Sequence, residues 1–336
     1  MSMNSESIAG KRVFVTGADG FIGTHLVERL VSEGARVRAM VYYNSWNGRG
    51  WLRDLPQDTL ASVEMLAGDV RDTERVRQGV KGCDYVFHLS SLIAIPYSYD
   101  APRSYVETNV TGALNVLQAC RDSDTLTRLV HVSTSEVYGS AQQVPIPESH
   151  PLVGQSPYSA SKIAADKFAE SFHLSFGLPV VTARPFNTFG PRQTARAVIP
   201  TIASQLLAGC KQLKLGALTP TRDFNFASDT AAGMLALGMC RAAEGRAVNI
   251  GSGEEWSIGQ AVEMLCELVG RRVEVVTDQT RIRPSNSEVN RLLADNTLIR
   301  ELTGWRSEVP FRQGLARTVE WIGRNLQYFD PEQYAR

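Results

Sequence analysis

The sequence predicts an α/β protein: a doubly wound parallel sheet, followed by a smaller α/β region. Three observations carry that expectation. A glycine-rich turn, Gly17-Ala18-Asp19-Gly20-Phe21-Ile22-Gly23, stands between a short apolar strand and an amphipathic helix. Apolar strands and helical stretches then alternate, which is the pattern of a parallel sheet with helices on both faces. At 336 residues the chain exceeds the usual single-domain size, so a second region is expected.

In order, Lys11–Thr16 reads as the first strand, and the glycine turn leads into a helix running to about Glu33. Glycines spaced by three let the backbone approach a pyrophosphate whose charge meets the helix N-terminus, so Gly17, Asp19, Gly20, Phe21 and Ile22 are expected at a dinucleotide. Ala35–Val41 is the second strand. The acidic residue that binds the adenosine ribose in NAD-specific folds is missing from its end, which reads Met40-Val41-Tyr42-Tyr43-Asn44-Ser45. Tyr42 and Asn44 are expected at the cofactor, and without that carboxylate the choice between NAD and NADP stays open.

Val63–Leu66 is the third strand. Asp69 and Val70 follow it, Asp69 either accepting from the adenine amino group or, like Asp72, capping a helix over Thr73–Lys81. Asp84–Ser91 is the fourth strand, whose small end, Leu89-Ser90-Ser91, lets a cofactor lie close; His88 within it reads as a packed core histidine. Tyr105–Cys120 has helical periodicity and contains Asn109, placed to hold a buried water or a helix bend. Val130–Val132 is the fifth strand.

Two clusters of reactive side chains follow it. Thr134, Ser135 and Glu136 fall where the strand ends, the edge at which open parallel sheets bind ligands. Tyr158 and Lys162 are four apart, so on a helix they share a face, and the ammonium can lower a phenol pKa that starts near ~10. The pair is either an acid/base couple or a half-buried helix tyrosine beside a solvated lysine.

The helix continues to about Phe176 and is broken by Gly177-Leu178-Pro179 before strand Val180–Arg184. Pro185–Arg192 is too rich in Pro, Gly and Asn for regular structure, so a substrate loop is expected, with Pro185 on the cofactor and Asn187 on the substrate. Helices are expected at Ala197–Ala208, Asp229–Cys240, Ile258–Val269 and Arg312–Asn325, a strand at Ala247–Ile250, and an edge segment with a charge pair at Thr221–Phe226. Residues 8–185, with 223–255 returning, would form the cofactor domain; 186–222 and 256–336 would form the substrate domain. Arg192, Arg222 and Arg283 are either the clamp of a diphosphate or ordinary surface charges.

Lysine plus arginine and aspartate plus glutamate both number 35, a balance that argues against general binding to nucleic acid or to a membrane surface. The five cysteines lie far apart without a Cys-x-x-Cys or a nearby histidine pair, which fits reduced thiols better than a metal or disulfides. With no apolar run of ~18 residues, a cytoplasmic protein is expected.

Thr16–Gly23 together with Thr134, Tyr158 and Lys162 resembles the extended short-chain dehydrogenase/reductase family over nearly the whole chain. The resemblance implies a Rossmann-type sheet, a catalytic set of Thr134, Ser135, Glu136, Tyr158 and Lys162, Tyr158 and Lys162 also touching the cofactor, and a homodimer through the helices at 105–120 and 158–176. Ser133–Gly139 looks like the nucleotide-sugar 4,6-dehydratases, with Ser135-Glu136 where the dTDP-glucose enzymes have Asp-Glu. The segments 94–99, 155–162 and 184–192 look most like the dehydratases of legionaminic-acid-type pathways, which act on nucleotide-linked N-acetylglucosamine.

Implied from this are a nucleotide-sugar substrate contacting Ser91 and Glu136 and an NAD cofactor, with NADP not excluded. UDP-glucuronate decarboxylases share a similar Thr-Ser-Glu-Val-Tyr-Gly run and are the nearest rival. A 4-epimerase comes next, and a dinucleotide-binding regulator without catalysis is the rival of a different class.

Overall fold

The computed structural model describes residues 7–46, 48–281 and 289–331. A seven-stranded sheet of parallel pairs organises it. The strands β1 (Arg12–Thr16), β2 (Arg36–Tyr42), β3 (Glu64–Gly68), β4 (Tyr85–His88), β5 (Arg128–Val132) and β6 (Val180–Pro185) arrive in sequence. Their spatial order is β3-β2-β1-β4-β5-β6, extended beyond β6 by Ala247–Ile250. The winding direction reverses between β1 and β4, so the crevice for a ligand opens beyond the carboxyl ends of those two strands.

Both faces are covered. On one, Leu26, Val27 and Leu30 of helix Phe21–Ser32 meet Ala231, Met234 and Leu235 of helix Ala227–Gly238 over Val13, Val15 and Phe87. On the other, helices Thr73–Val80, Gly112–Arg121 and Pro157–Phe176 bury Val76, Val116, Leu117 and Phe172 against Phe14, Val86 and Leu129. β5 and β6 are buried along their whole length, as strands covered on both faces must be.

The second region is built of short pieces. A strand β7 (Asn187–Phe189) pairs with Phe224–Phe226, and β8 (Gln212–Leu215) with Glu274–Thr277. Helices Val198–Leu207, Ile258–Val269 and Phe311–Arg324 close over Phe189, Leu213, Leu215 and Phe224.

Four expectations need correction. The loop after β6 is not wholly irregular, because Asn187–Phe189 finds the edge of Phe224–Phe226. The fourth strand stops at His88, since the Leu89 and Ser90 amides turn to the Thr16 hydroxyl instead of a ladder. Asp223 gives its carboxylate to Ser252, Gly253 and Ala294 rather than to its neighbour Arg222. Finally, the segment Thr297–Trp305 returns to the cofactor domain: Ile299 and Trp305 join the core of the sheet, and the Trp305 indole donates to the Asp229 carbonyl.

The long helix expected over 105–120 is interrupted by a π-helical turn at Val106–Thr111. Asn109 lies in that turn. Its amide bridges both backbone groups of Leu92 and the Ser161 hydroxyl, tying the end of the fourth-strand loop to the helix of Tyr158. All five cysteines are free, and among the described residues no cluster of His, Cys, Asp and Glu is arranged for a metal. No helix of the described residues is long and apolar enough to cross a membrane.

Candidate active site

A cleft of about 1260 Å³ runs along the carboxyl edge of the sheet and is closed on its far side by the second region. Its floor is the glycine turn. A Cβ at position 23 would stand 2.0 Å from the Gly17 carbonyl oxygen, and one at position 17 would stand 2.8 Å from the Ser90 amide nitrogen. Only glycine lets these backbones touch. The helix beginning at Phe21 carries no side-chain cap at Gly20, so its first amides and positive dipole end face the cleft. This arrangement fits a dinucleotide pyrophosphate.

The adenosine end is bounded by Tyr42, Asn44, Asp69 and Val70. Asn44 folds its own loop, accepting from the Trp46 and Gly48 amides and donating to the Tyr42 and Gly48 carbonyls. Asp69 is held by Arg71, whose guanidinium keeps that carboxyl below the usual range, while Asp72 caps the next helix. Asp19 reaches from the glycine turn to accept from the Tyr42 amide at 3.0 Å, so a carboxylate does stand at the end of β2, supplied by another element. Burial pushes its pKa up. Leu89, Ser90, Ser91 and Pro185 line the middle of the cleft.

Thr134, Ser135, Glu136 and Tyr158 meet there. Thr134 lies two residues beyond β5 and caps the tight turn Ser135–Tyr138, its hydroxyl accepting from the Glu136 amide at 3.2 Å. Tyr158 occupies the first turn of a helix fixed by a reciprocal Ser156/Ser159 capping box. Its ring lies edge-on to Tyr105, with centroids 6.2 Å apart.

Here the sequence expectation about acidity is reversed. Burial pushes the Tyr158 phenol above its ordinary value, the hydrogen bond with Thr134 pulls it back, and the Glu136 charge raises it further. Lys162 is equally buried, and its ammonium donates to the Val132 carbonyl at 2.6 Å. Desolvation lowers its pKa to about 8.

The substrate end separates the three candidate arginines. Arg222 lines the cleft, as do Asn187, Arg196 and Arg281. Asn187 Oδ1 is buried there without a hydrogen-bond partner. Arg192 does not line it: its guanidinium turns away, 3.1 Å from Asp54 and 2.8 Å from Glu28, because two carboxylates offer a buried cation better partners than an open cleft. Arg283 lies outside the described residues. Arg196 and the loop at Gly50–Trp51 were missed in the sequence, where nothing local marks them as facing a ligand; their position depends on contacts with distant elements.

Comparison with known proteins agrees with this geometry. The family model described as GDP-mannose 4,6-dehydratase matches residues 14–318. A dTDP-glucose 4,6-dehydratase of Xanthomonas campestris is 31% identical over 343 residues, covering 93% of each chain. A solved dTDP-glucose 4,6-dehydratase from Streptomyces venezuelae, with NAD bound, superimposes with a TM-score of 0.83 at 30% identity, over 95% of this chain and 99% of that one. A UDP-glucose 4-epimerase from Thermotoga maritima, solved with UDP-glucose, is as similar in shape, with a TM-score of 0.84 at 26% identity over 94% and 99% of the two chains.

Proposed function

Because this chain belongs to the GDP-mannose 4,6-dehydratase family, enzymes within the short-chain dehydrogenase/reductases, we propose that it converts a nucleotide-linked hexose to its 4-keto-6-deoxy form. The N-acetylglucosamine sugars are the substrates we favour, on the resemblance of segments 94–99, 155–162 and 184–192. One observation carries the choice of dehydration over epimerisation. Glu136 sits in the same cleft as the Thr134–Tyr158 pair, close enough for its charge to act on the phenol, and epimerisation at carbon 4 needs no such carboxylate.

NAD, held by the Gly17–Gly23 turn and by Leu89, Ser90 and Ser91, would supply a hydride acceptor for sugar carbon 4 and a hydride donor for carbon 6. The 2′-phosphate of NADP would approach Asp19 at the end of β2, which favours NAD. Tyr158, oriented by Thr134, would take the proton of the 4-hydroxyl as a phenolate; burial raises its pKa in this structure, and the positive nicotinamide of bound NAD would favour the charged form it needs. Lys162 stands behind it as a buried cation. The new ketone acidifies the hydrogen on carbon 5; Glu136 removes it and passes it to the hydroxyl that leaves carbon 6 as water, and as carbon 6 gains hydride carbon 5 takes a proton from solvent, balanced by the proton Tyr158 gives back to solvent. Arg222 and Asn187 hold the nucleotide and sugar.

A test follows from that division of labour. Glu136→Gln keeps the Tyr158 step, so the variant should still oxidise the sugar at carbon 4 but release no keto-deoxy product, as read by mass spectrometry of acid-quenched mixtures. Turnover at the wild-type rate would remove Glu136 from the mechanism. Pairing of two copies through the helices around 105–120 and 158–176 belongs to the same reading and agrees with the exposure of Val106, Leu174 and Phe176. A monomer in light scattering would refute it.

A further inference from the structure

The adenosine end of the cleft departs from the usual NAD site. Nothing acidic follows β2, whose end reads Met40-Val41-Tyr42-Tyr43-Asn44. A ribose still needs an acceptor for its hydroxyls, and NAD-specific sheets place an acidic side chain there. Among the described residues three carboxylates line the cleft: Asp19, Asp69 and Glu136. Glu136 stands near the Tyr158 phenol, at the sugar end. Asp69 is taken up by Arg71, whose guanidinium donates to both its oxygens and whose amide donates to one of them. Asn44 is spent on its own loop.

That leaves Asp19. Its carboxylate accepts from one other residue, the Tyr42 amide at 3.0 Å, whereas an ionised carboxylate offers about four lone-pair sites. The short helical turn Gly50–Asp54 fixes it from the other side. The Trp51 amide donates to the Asp19 carbonyl at 2.9 Å, and a Cβ at position 50 would stand 2.3 Å from that oxygen and 2.8 Å from Asp19 Cβ. Gly50 has a φ of 51°, so contact and conformation both call for glycine.

The same turn brings a cation to the cleft. The Arg53 guanidinium lies over the Tyr328 ring at 4.4 Å and the Trp51 ring at 5.3 Å, and among the described residues it has no carboxylate partner. Trp51 in turn packs edge-on against Trp321 of helix Phe311–Arg324, with centroids 5.2 Å apart. A fixed carboxylate and a cation without an acid are therefore held by one turn.

We propose that Asp19, in place of the acid missing after β2, binds the adenosine ribose and sets the choice of NAD over NADP; the inference deepens the reading of NAD as the cofactor and rests on it. The lone pairs left over from Tyr42 accept from the 2′-hydroxyl, and the charge repels a 2′-phosphate, so selectivity has an attractive and a repulsive part. Arg53 favours a 2′-phosphate, and Asp19 opposes it. Removing the carboxylate charge should accordingly not abolish dinucleotide binding but turn the site towards NADP.

The test is binding to the whole chain, freed of nucleotide and followed by tryptophan fluorescence, with NAD, NADP and the 2′-deoxyadenosine analogue of NAD as ligands. Wild type should bind NAD roughly tenfold or more tighter than either of the others. Asp19→Asn keeps an oxygen for the Tyr42 amide and loses the charge; it should shift the ratio of the two Kd values roughly tenfold or more towards NADP, and Arg53→Met added to it should take that gain back. A variant with an unchanged ratio, or one that loses both dinucleotides equally, would overturn the assignment. If Asp19→Asn does not fold, the wild type still decides, because equal affinity for NAD and its 2′-deoxy analogue leaves no acceptor at the ribose. None of these readouts needs turnover. A protein that shows the expected ratios and makes no keto sugar would refute the dehydratase reading and leave Asp19 at the ribose.

Discussion

Arg192 is the residue whose substitution separates structure from binding most cleanly. Its backbone is left-handed, with φ of 72°, where glycine is at ease and a side chain costs about 1 kcal/mol. What holds it there is the guanidinium, 9% exposed, between Glu28 and Asp54, whose side chains are 41% and 29% exposed. Removing one partner of a fully buried pair costs about 3–5 kcal/mol. Both carboxylates here reach solvent, so the loss is reduced to roughly 2 kcal/mol.

Arg192→Ala keeps the strain and loses the ion pairs, giving about 2 kcal/mol of destabilisation; Arg192→Gly loses the pairs and releases the strain, giving about 1 kcal/mol. Urea unfolding, compared at the midpoints of the three proteins, reads both numbers. The glycine variant should lie between wild type and the alanine variant, the reverse of the usual order. Alanine and glycine variants as stable as the wild type would refute the pinning role, and an alanine variant more stable than the glycine one would refute the strain.

Two further outcomes follow. His25 donates from Nε2 to the Pro191 carbonyl, and desolvation, then the charge of Arg192, lowers its pKa to about 4. The unfolded chain binds that proton first, near ~6.5, so His25 removes stability as pH falls from there towards about 4. The loss is up to about 3 kcal/mol for a dry site and about 1–2 for this half-buried ring; His25→Gln should flatten that part of a denaturation-midpoint-against-pH curve, and an unchanged slope would count against it. Arg222→Met, which removes a cation lining the cleft, should raise KM for the nucleotide sugar roughly tenfold or more while leaving kcat within a few-fold, the pattern of lost ground-state binding; an unchanged KM would place the diphosphate elsewhere.

What the sequence made legible was local. Gly17, Gly20 and Gly23 mark a turn whose geometry depends on their own backbones, so strand, turn and helix could be placed together. Tyr158 and Lys162 were found by spacing along one helix, and Thr134 and Glu136 by standing at the end of a buried strand. Partners distant in sequence were not legible. Arg192 meets Glu28 across 164 positions and Asp54 across 138, so its sequence neighbourhood suggested an anion contact from a side chain that instead turns to those two carboxylates.

The acidity of Tyr158 failed for a related reason. Helical spacing gives the distance between two side chains but not the burial of both, and burial outweighs a cation directed at a backbone carbonyl. Asp19 was within reach of the sequence as part of the glycine turn; its contact with the Tyr42 amide, 23 positions on, was not.

The most direct measurement is mass spectrometry of the protein incubated with UDP- and GDP-N-acetylglucosamine, dTDP-glucose, GDP-mannose and UDP-glucuronate in the presence of NAD. Loss of one water from a neutral sugar, with no net reduction of cofactor, is the predicted result and names the substrate. Unchanged masses with a new sugar epimer, or loss of carbon dioxide from UDP-glucuronate alone, would contradict the dehydratase account and leave Glu136 without its assigned task.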